Sequence, residues 1–127
     1  MKALLLSIKP EYVEKILQGT KKFEYRKQLA KEDVSTMYIY STSPFKKIVA
    51  SVQIKGRLSA SPSKLWEKTK TAAGISRSKY REYFCGYKIA HAYILGDVEV
   101  FEQEKELSDL GLNSAPQSFI YISISHE

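Results

Sequence analysis

Apolar and polar positions change period several times along this chain, and each change marks an element. Residues 2–8, Lys-Ala-Leu-Leu-Leu-Ser-Ile, are almost continuously apolar, as in a buried first strand. Pro10 then opens a helical stretch. Val13, Ile16 and Leu17 recur at helical spacing, Glu11, Glu14 and Lys15 take the outer face, and Gly19 ends it. From Lys21 to Arg26 the period drops to two. The alternation predicts a strand with Lys21, Phe23 and Tyr25 on one face. Lys22, Glu24 and Arg26 share the other, roughly 6.6 Å apart. That charged face is either a solvated surface or the wall of a polar cleft.

Residues 28–35 are polar and read as a connection. Strands are predicted over 37–41 and 47–55. In the second, Ile48, Ala50, Val52 and Ile54 should face away from Val49, Ser51 and Gln53. Ser61-Pro62 caps a short helix carrying Leu65 and Trp66, and Gly74 breaks the pattern. Ser76 caps another that carries Tyr80, Tyr83 and Phe84, and Gly86 stops it. A long β pattern over 87–101 sets Ala90, Ala92, Ile94, Val98 and Val100 against His91, Tyr93 and Leu95, with a bulge expected at Gly96. The acidic stretch 102–109 reads as a solvated loop, and 118–124 as a last strand. Five or six strands and two or three short helices, without βαβ alternation, predict an α+β fold. Its sheet should be mainly antiparallel and barrel-like, within a single domain over 1–127.

The 127 residues suffice for one packed core. The formal charge of +6 is unevenly placed. Residues 1–31 carry eight basic and three acidic groups, and residues 55–88 carry nine and two. Residues 89–127 carry one and seven. A basic two-thirds ahead of an acidic end points to a polyanion-facing side, or to a surface tuned for solubility. Nine tyrosines suit base stacking as well as half-buried sheet surfaces. The single cysteine, Cys85, permits no internal disulfide and fits the reducing cytoplasm. No apolar run approaches the roughly 20 residues that span a membrane, and residues 1–8 do not read as a secretory leader.

Neither a Gly-x-Gly-x-x-Gly fingerprint nor a phosphate loop is present. His91 and His126 are the only histidines, so with one cysteine no zinc spacing exists, and neither a metal nor a cofactor is expected. His91 reads as a sheet residue and Cys85 as packing. What remains is a polar set of Lys22, Glu24, Arg26, Tyr40, Lys46 and several Ser and Thr. Arginine can hold phosphate or carboxylate in a bidentate fork, and a buried lysine can act as a base. A glutamate can accept from a base's amino group or simply hold a neighbouring arginine in place.

These residues carry a resemblance. Leu6-Ser7-Ile8-Lys9-Pro10-x-Tyr12-Val13, continuing through Gly19-x-Lys21-Lys22-Phe23-Glu24-Tyr25-Arg26, resembles the opening of the ASCH domain family. That family is related in fold to PUA and YTH/EVE domains. Tyr40-Ser41-Thr42-Ser43-Pro44, Ser61-Pro62-Ser63-x-Leu65-Trp66, Ala73-Gly74-Ile75-Ser76, Tyr83-Phe84-x-Gly86 and Pro116-Gln117-Ser118-Phe119 are similar to later blocks of its short, single-domain prokaryotic and phage members.

The resemblance implies a PUA-like β-barrel with helices at its rim. It implies a cleft lined by Gly19, Lys21, Glu24 and Arg26 that binds single-stranded RNA or a modified nucleotide. Candidate ligand contacts are then Lys9, Lys21, Lys22, Glu24, Arg26, Ser41 and Ser43. Some relatives are single-strand ribonucleases, and by that resemblance Tyr40, Lys46 and Ser118 would be catalytic here, in a hydrolase that needs no metal. Others are amidohydrolases of N4-acetylated cytidine. This chain departs from their pattern, with Glu24 at the threonine position and no later glutamate around Ala72 to Gly74. A regulatory domain whose acidic end meets a partner is the remaining reading.

Overall fold

The computed structural model describes residues 1–124, so His126 lies outside the described residues. Strand β1 (Lys2–Ile8) leads into helix α1 (Pro10–Gln18), then β2 (Phe23–Arg26), β3 (Thr36–Ser41) and β4 (Lys47–Ala60). Helix α2 (Pro62–Thr69) and a 3-10 turn (Lys70–Ala72) precede α3 (Arg77–Tyr83). Strand β5 (Ala90–Lys105), a second 3-10 turn (Leu107–Leu110) and β6 (Phe119–Ser123) follow. The strands form one sheet in the order β2-β5-β4-β3-β1-β6. All its ladders are antiparallel except β1 with β3.

This is the expected α+β architecture, with one difference in its closure. The hydrogen-bonded ladder does not close into a barrel, because β2 and β6 remain edge strands. The sheet nevertheless wraps one core. Leu4, Leu6 and Ile8 of β1 share it with Tyr93 and Leu95 of β5, with Met37 and Ile39 of β3, and with Val13 and Ile16 of α1. Two smaller clusters flank it. Tyr25, Leu65, Tyr80, Phe84, Ala90 and Ala92 pack β2 and β5 against α2 and α3. Ala3, Leu5, Tyr40, Ile48 and Ile122 form the other, on the opposite face of β1 and β3.

Local chemistry explains the boundaries. Gly19 takes φ 84° and returns its N–H to Ile16 at 3.1 Å, while the next two N–H groups bond the Lys15 carbonyl. Ser61 and Ser76 accept from the N–H groups of Lys64 and Lys79 at the starts of α2 and α3. The expected facing of 47–55 is broken by a register shift between Ile48 and Ala50. This bulge sends Ile48 to the Tyr40 cluster while Val49 joins Ala50 and Val52 in the main core. Strand β2 starts at Phe23 rather than Lys21. Residues 102–105, expected in a loop, continue β5 instead. Pairing of Lys105 with Ile48 carries the acidic side chains outward on a strand end.

Candidate functional site

A cavity of about 480 Å³ opens where the sheet fails to close, between the end of β1 and the edge strand β2. Ser7, Ile8 and Lys9 supply one wall, and Tyr12 of α1 another. Glu24, Tyr25 and Arg26 of β2 face them, and Ile75, Lys79, Glu82 and Tyr83 close the side formed by α3.

Lys21 is the buried cation of this wall. The tight Gly19 turn drives its stem inward, leaving the residue 4 % exposed. Its Nζ donates to the Ala73 carbonyl at 2.7 Å and stands 5.4 Å from the Tyr12 ring centroid and 4.9 Å from that of Tyr25. Gly74 packs on the stem so closely that an added Cβ would meet the Lys21 Cβ at 2.5 Å. Burial pushes the Lys21 ammonium below its ordinary pKa; Glu24 opposes the shift, and the charges of Lys15 and Arg26 add to it.

Glu24 and Arg26, two apart on β2, leave the strand on one face. Arg26 Nε donates to Glu24 Oε2 at 3.1 Å, and Nη2 makes an ion-pair contact with the same oxygen at 2.9 Å. Nη2 also donates to the Ser7 carbonyl at 3.1 Å, so the arginine spans the open seam between β2 and β1. Glu24 Oε1 makes no hydrogen bond among the described residues. Tyr25 is held from behind. Its hydroxyl donates to Thr69 Oγ1 at 2.6 Å, and that hydroxyl donates to the Leu65 carbonyl at 2.8 Å. Burial pushes the Tyr25 phenol up to about 12, against the Thr69 hydrogen bond. Burial likewise raises Tyr12 and Tyr83. The wall thus offers aromatic faces, a fixed carboxylate, a buried ammonium and a half-buried guanidinium.

Of the residues singled out in the sequence, Lys9, Lys21, Glu24 and Arg26 line this cavity. Lys22 is exposed and does not; its backbone instead ties the Ala72 carbonyl to the Leu95 N–H. Tyr40 is buried in the cluster on the other face of the sheet, paired with Ser7 along the β1–β3 ladder. Ser41 is buried beside Ile8, and Ser43 and Lys46 lie in the exposed β3–β4 turn, where Lys46 takes φ 55°. Ser118 is exposed, two residues beyond Pro116, whose carbonyl accepts from Ser7 Oγ at 2.7 Å. Ser7 therefore borders both the cavity and the Tyr40 neighbourhood. Sequence reasoning missed Tyr12, Lys79 and Tyr83 as cavity residues. Tyr12 sits four before Ile16 and so on its face of α1, which is the one local signal available. Among the described residues no three His, Cys, Asp or Glu side chains group as a metal site. No helix among them is long and apolar enough to cross a membrane.

The ASCH domain family model matches residues 6–106. The chain is 29% identical over 97 residues to the ASCH domain-containing ribonuclease of Zymomonas mobilis, covering 76% of this chain and 66% of that protein. It is 28% identical over 120 residues to a Ureaplasma parvum protein named ATP synthase subunit alpha, covering 94% of this chain but 15% of that one. The chain thus spans less than two thirds of either relative. A solved structure of a ZmASCH variant from Zymomonas mobilis, with a tyrosine replaced by phenylalanine, superposes with a TM-score of 0.88 at 25% identity. It covers 97% of this chain and 91% of that one.

Proposed function

Since the chain belongs to the ASCH domain family, we propose that its cavity binds single-stranded RNA, taking one nucleotide into the space between β1, β2 and α3. The observation that carries this reading is the buried Glu24 carboxylate, held by the half-buried Arg26, beside Lys21 and the tyrosines. The clamped carboxylate keeps Oε1 available to accept from a base's amino or imino group, while Arg26 holds it in one rotamer. The rings of Tyr12 and Tyr83 offer stacking faces at the rim. Lys9, Lys21 and Lys79 bring positive charge to the phosphate side. A volume of about 480 Å³ falls in the range of small-molecule pockets. This reading sets the chain in the cytoplasm, among RNA and nucleotides.

The test is binding of labelled single-stranded RNA to wild type, Glu24→Gln and Arg26→Ala across a salt series. Affinity should fall about tenfold or more in each variant, because Arg26→Ala frees the buried Glu24 carboxylate and Glu24→Gln removes the charged acceptor that Arg26 holds in place. It should also weaken by about 0.7 log units per log unit of salt for each phosphate neutralised. RNA affinity that is flat with salt and equal in all three proteins would defeat the proposal.

A second reading, metal-independent cleavage of the bound strand, is favoured by the ribonuclease among its relatives. Here Lys46 would stabilise charge on the phosphorane, and Tyr40 or Ser118 would orient or exchange a proton, with Ser41 and Ser43 positioning the backbone. Ser7 supports it as the residue that borders both this group and the cavity. RNA incubated with protein in chelator should be cut by wild type and spared by Lys46→Ala. Equal cutting by both removes this mechanism.

A further inference from the structure

A second concavity, of about 340 Å³, lies between α2 and α3. Trp66 and Phe84 form its floor, and Arg77 and Arg81, one turn apart on α3, stand at its edge. On a helix, positions 79, 82 and 83 share one side and positions 77, 81 and 84 the opposite one. The first set lines the cavity on β2 and the second lines this groove, so α3 is a partition between the two.

Three features give the groove its ligand class. Both arginines are exposed, and neither makes a hydrogen bond or ion pair among the described residues. The acid in the groove wall, Glu67, is already engaged by Lys70 at 2.6 Å. Trp66 is half-buried, tilted against Tyr80 at 4.7 Å between centroids, and so held in place as a flat surface. Arg77 feels the Glu67 carboxylate only at a distance, and guanidinium forks whose N–H groups carry no hydrogen bond, beside a fixed indole, suit a phosphodiester with an unpaired base. The stretch that supplies them, residues 55–88, carries nine basic and two acidic groups. The two concavities are one helix apart, a width of about 10 Å, which a continuous RNA strand can cross.

We propose that the Trp66–Arg77–Arg81 groove is a second RNA subsite, which takes a nucleotide flanking the one in the cavity and makes the protein a reader of strands rather than of single nucleotides. It rests on the RNA-binding reading of the cavity. Trp66 is the only tryptophan in the chain, so its emission reports on this groove directly.

The experiment titrates wild type with uridine monophosphate and with a uridine octamer, following Trp66 fluorescence and, separately, affinity. The octamer should quench Trp66 and bind more tightly than the monophosphate. Arg77→Ala/Arg81→Ala should weaken octamer binding about tenfold or more and lower its salt slope by about 1.4. Arg77→Lys/Arg81→Lys should restore the slope but only part of the affinity, since lysine keeps charge and loses the fork. Octamer binding that leaves Trp66 emission unchanged, with affinity and slope untouched in the alanine variant, overturns the groove and leaves the cavity reading standing. No binding of either ligand removes both. A glutamate-rich peptide that quenches Trp66 and displaces the octamer would make the groove a peptide site instead.

Discussion

At Lys21 the requirements of stability and of function pull apart. A charged ammonium 4 % exposed has lost most of its hydration. One carbonyl and two tyrosine faces return part of that. Cation–π contacts are worth about 0.5–2 kcal/mol, whereas burying a charge costs several. Lys21→Met keeps the stem against Gly74 and deletes the charge. It should be as stable as wild type or more so in urea unfolding, and should bind RNA at least about tenfold more weakly. A variant that loses stability while binding normally would show the lysine to be structural. Gly74 gives the complementary test. It combines φ 66° with a contact that a methyl would close to 2.5 Å, whereas Gly19 has φ 84° and nothing within 4 Å. Gly74→Ala should therefore cost about 2–4 kcal/mol, and Gly19→Ala about 1–2 kcal/mol.

Among the elements, α3 carries the most consequence for its length. Seven residues make too little helix to stand alone. It is held by Tyr80 and Phe84 in the cluster under α2, by the Tyr80 hydroxyl on the Pro62 carbonyl at 2.7 Å, and by the Ser76 cap. Ser76→Ala should cost about 1 kcal/mol and increase hydrogen exchange in residues 77–83, with octamer RNA binding weakened. Unchanged exchange there would mean that packing alone fixes the helix. The ends of such elements were legible in the chain, because Ser61-Pro62, Ser76, Gly19 and Gly74 act through local chemistry. So was the grouping of Glu24 with Arg26, which needs only a period of two. The bulge at Ile48 was not legible, since it depends on which strand lies alongside. Lys21 was assigned to an apolar face and Lys22 to the charged one, but the residues precede the strand proper, and the turn from Gly19 decides which of the two goes inside. Tyr12 could be placed on the inner face of α1 by its spacing from Ile16, but Lys79 and Tyr83 join the cavity only through the packing of α3, for which the sequence holds no short-range signal.

For the molecule as a whole, buried titratable groups set how stability responds to alkali, and they act in opposite directions. The folded state holds the Lys21 proton less tightly than the unfolded chain, whose lysine keeps its ordinary 10.5. Between the two values the unfolded state carries the extra proton, so stability rises with pH toward about 10. Tyr25 and Tyr80 behave the other way. Burial raises both phenols to about 12, from 10.0. Their contribution is complete below pH 10 and is lost as pH climbs toward 12. Urea midpoints measured from pH 7 to 12 should therefore pass through a maximum near about pH 10. Surface lysines also discharge over this range and lessen the repulsion of a chain with net charge +6, so the variants decide the assignment. Lys21→Met should show a shallower rise than wild type. Tyr25→Phe should begin about 1–2 kcal/mol lower, having lost its bond to Thr69, and should decline less steeply above pH 10. Rising limbs that coincide in wild type and Lys21→Met would place the Lys21 ammonium in contact with water, and the cavity wall would then lack the buried charge on which its chemistry depends.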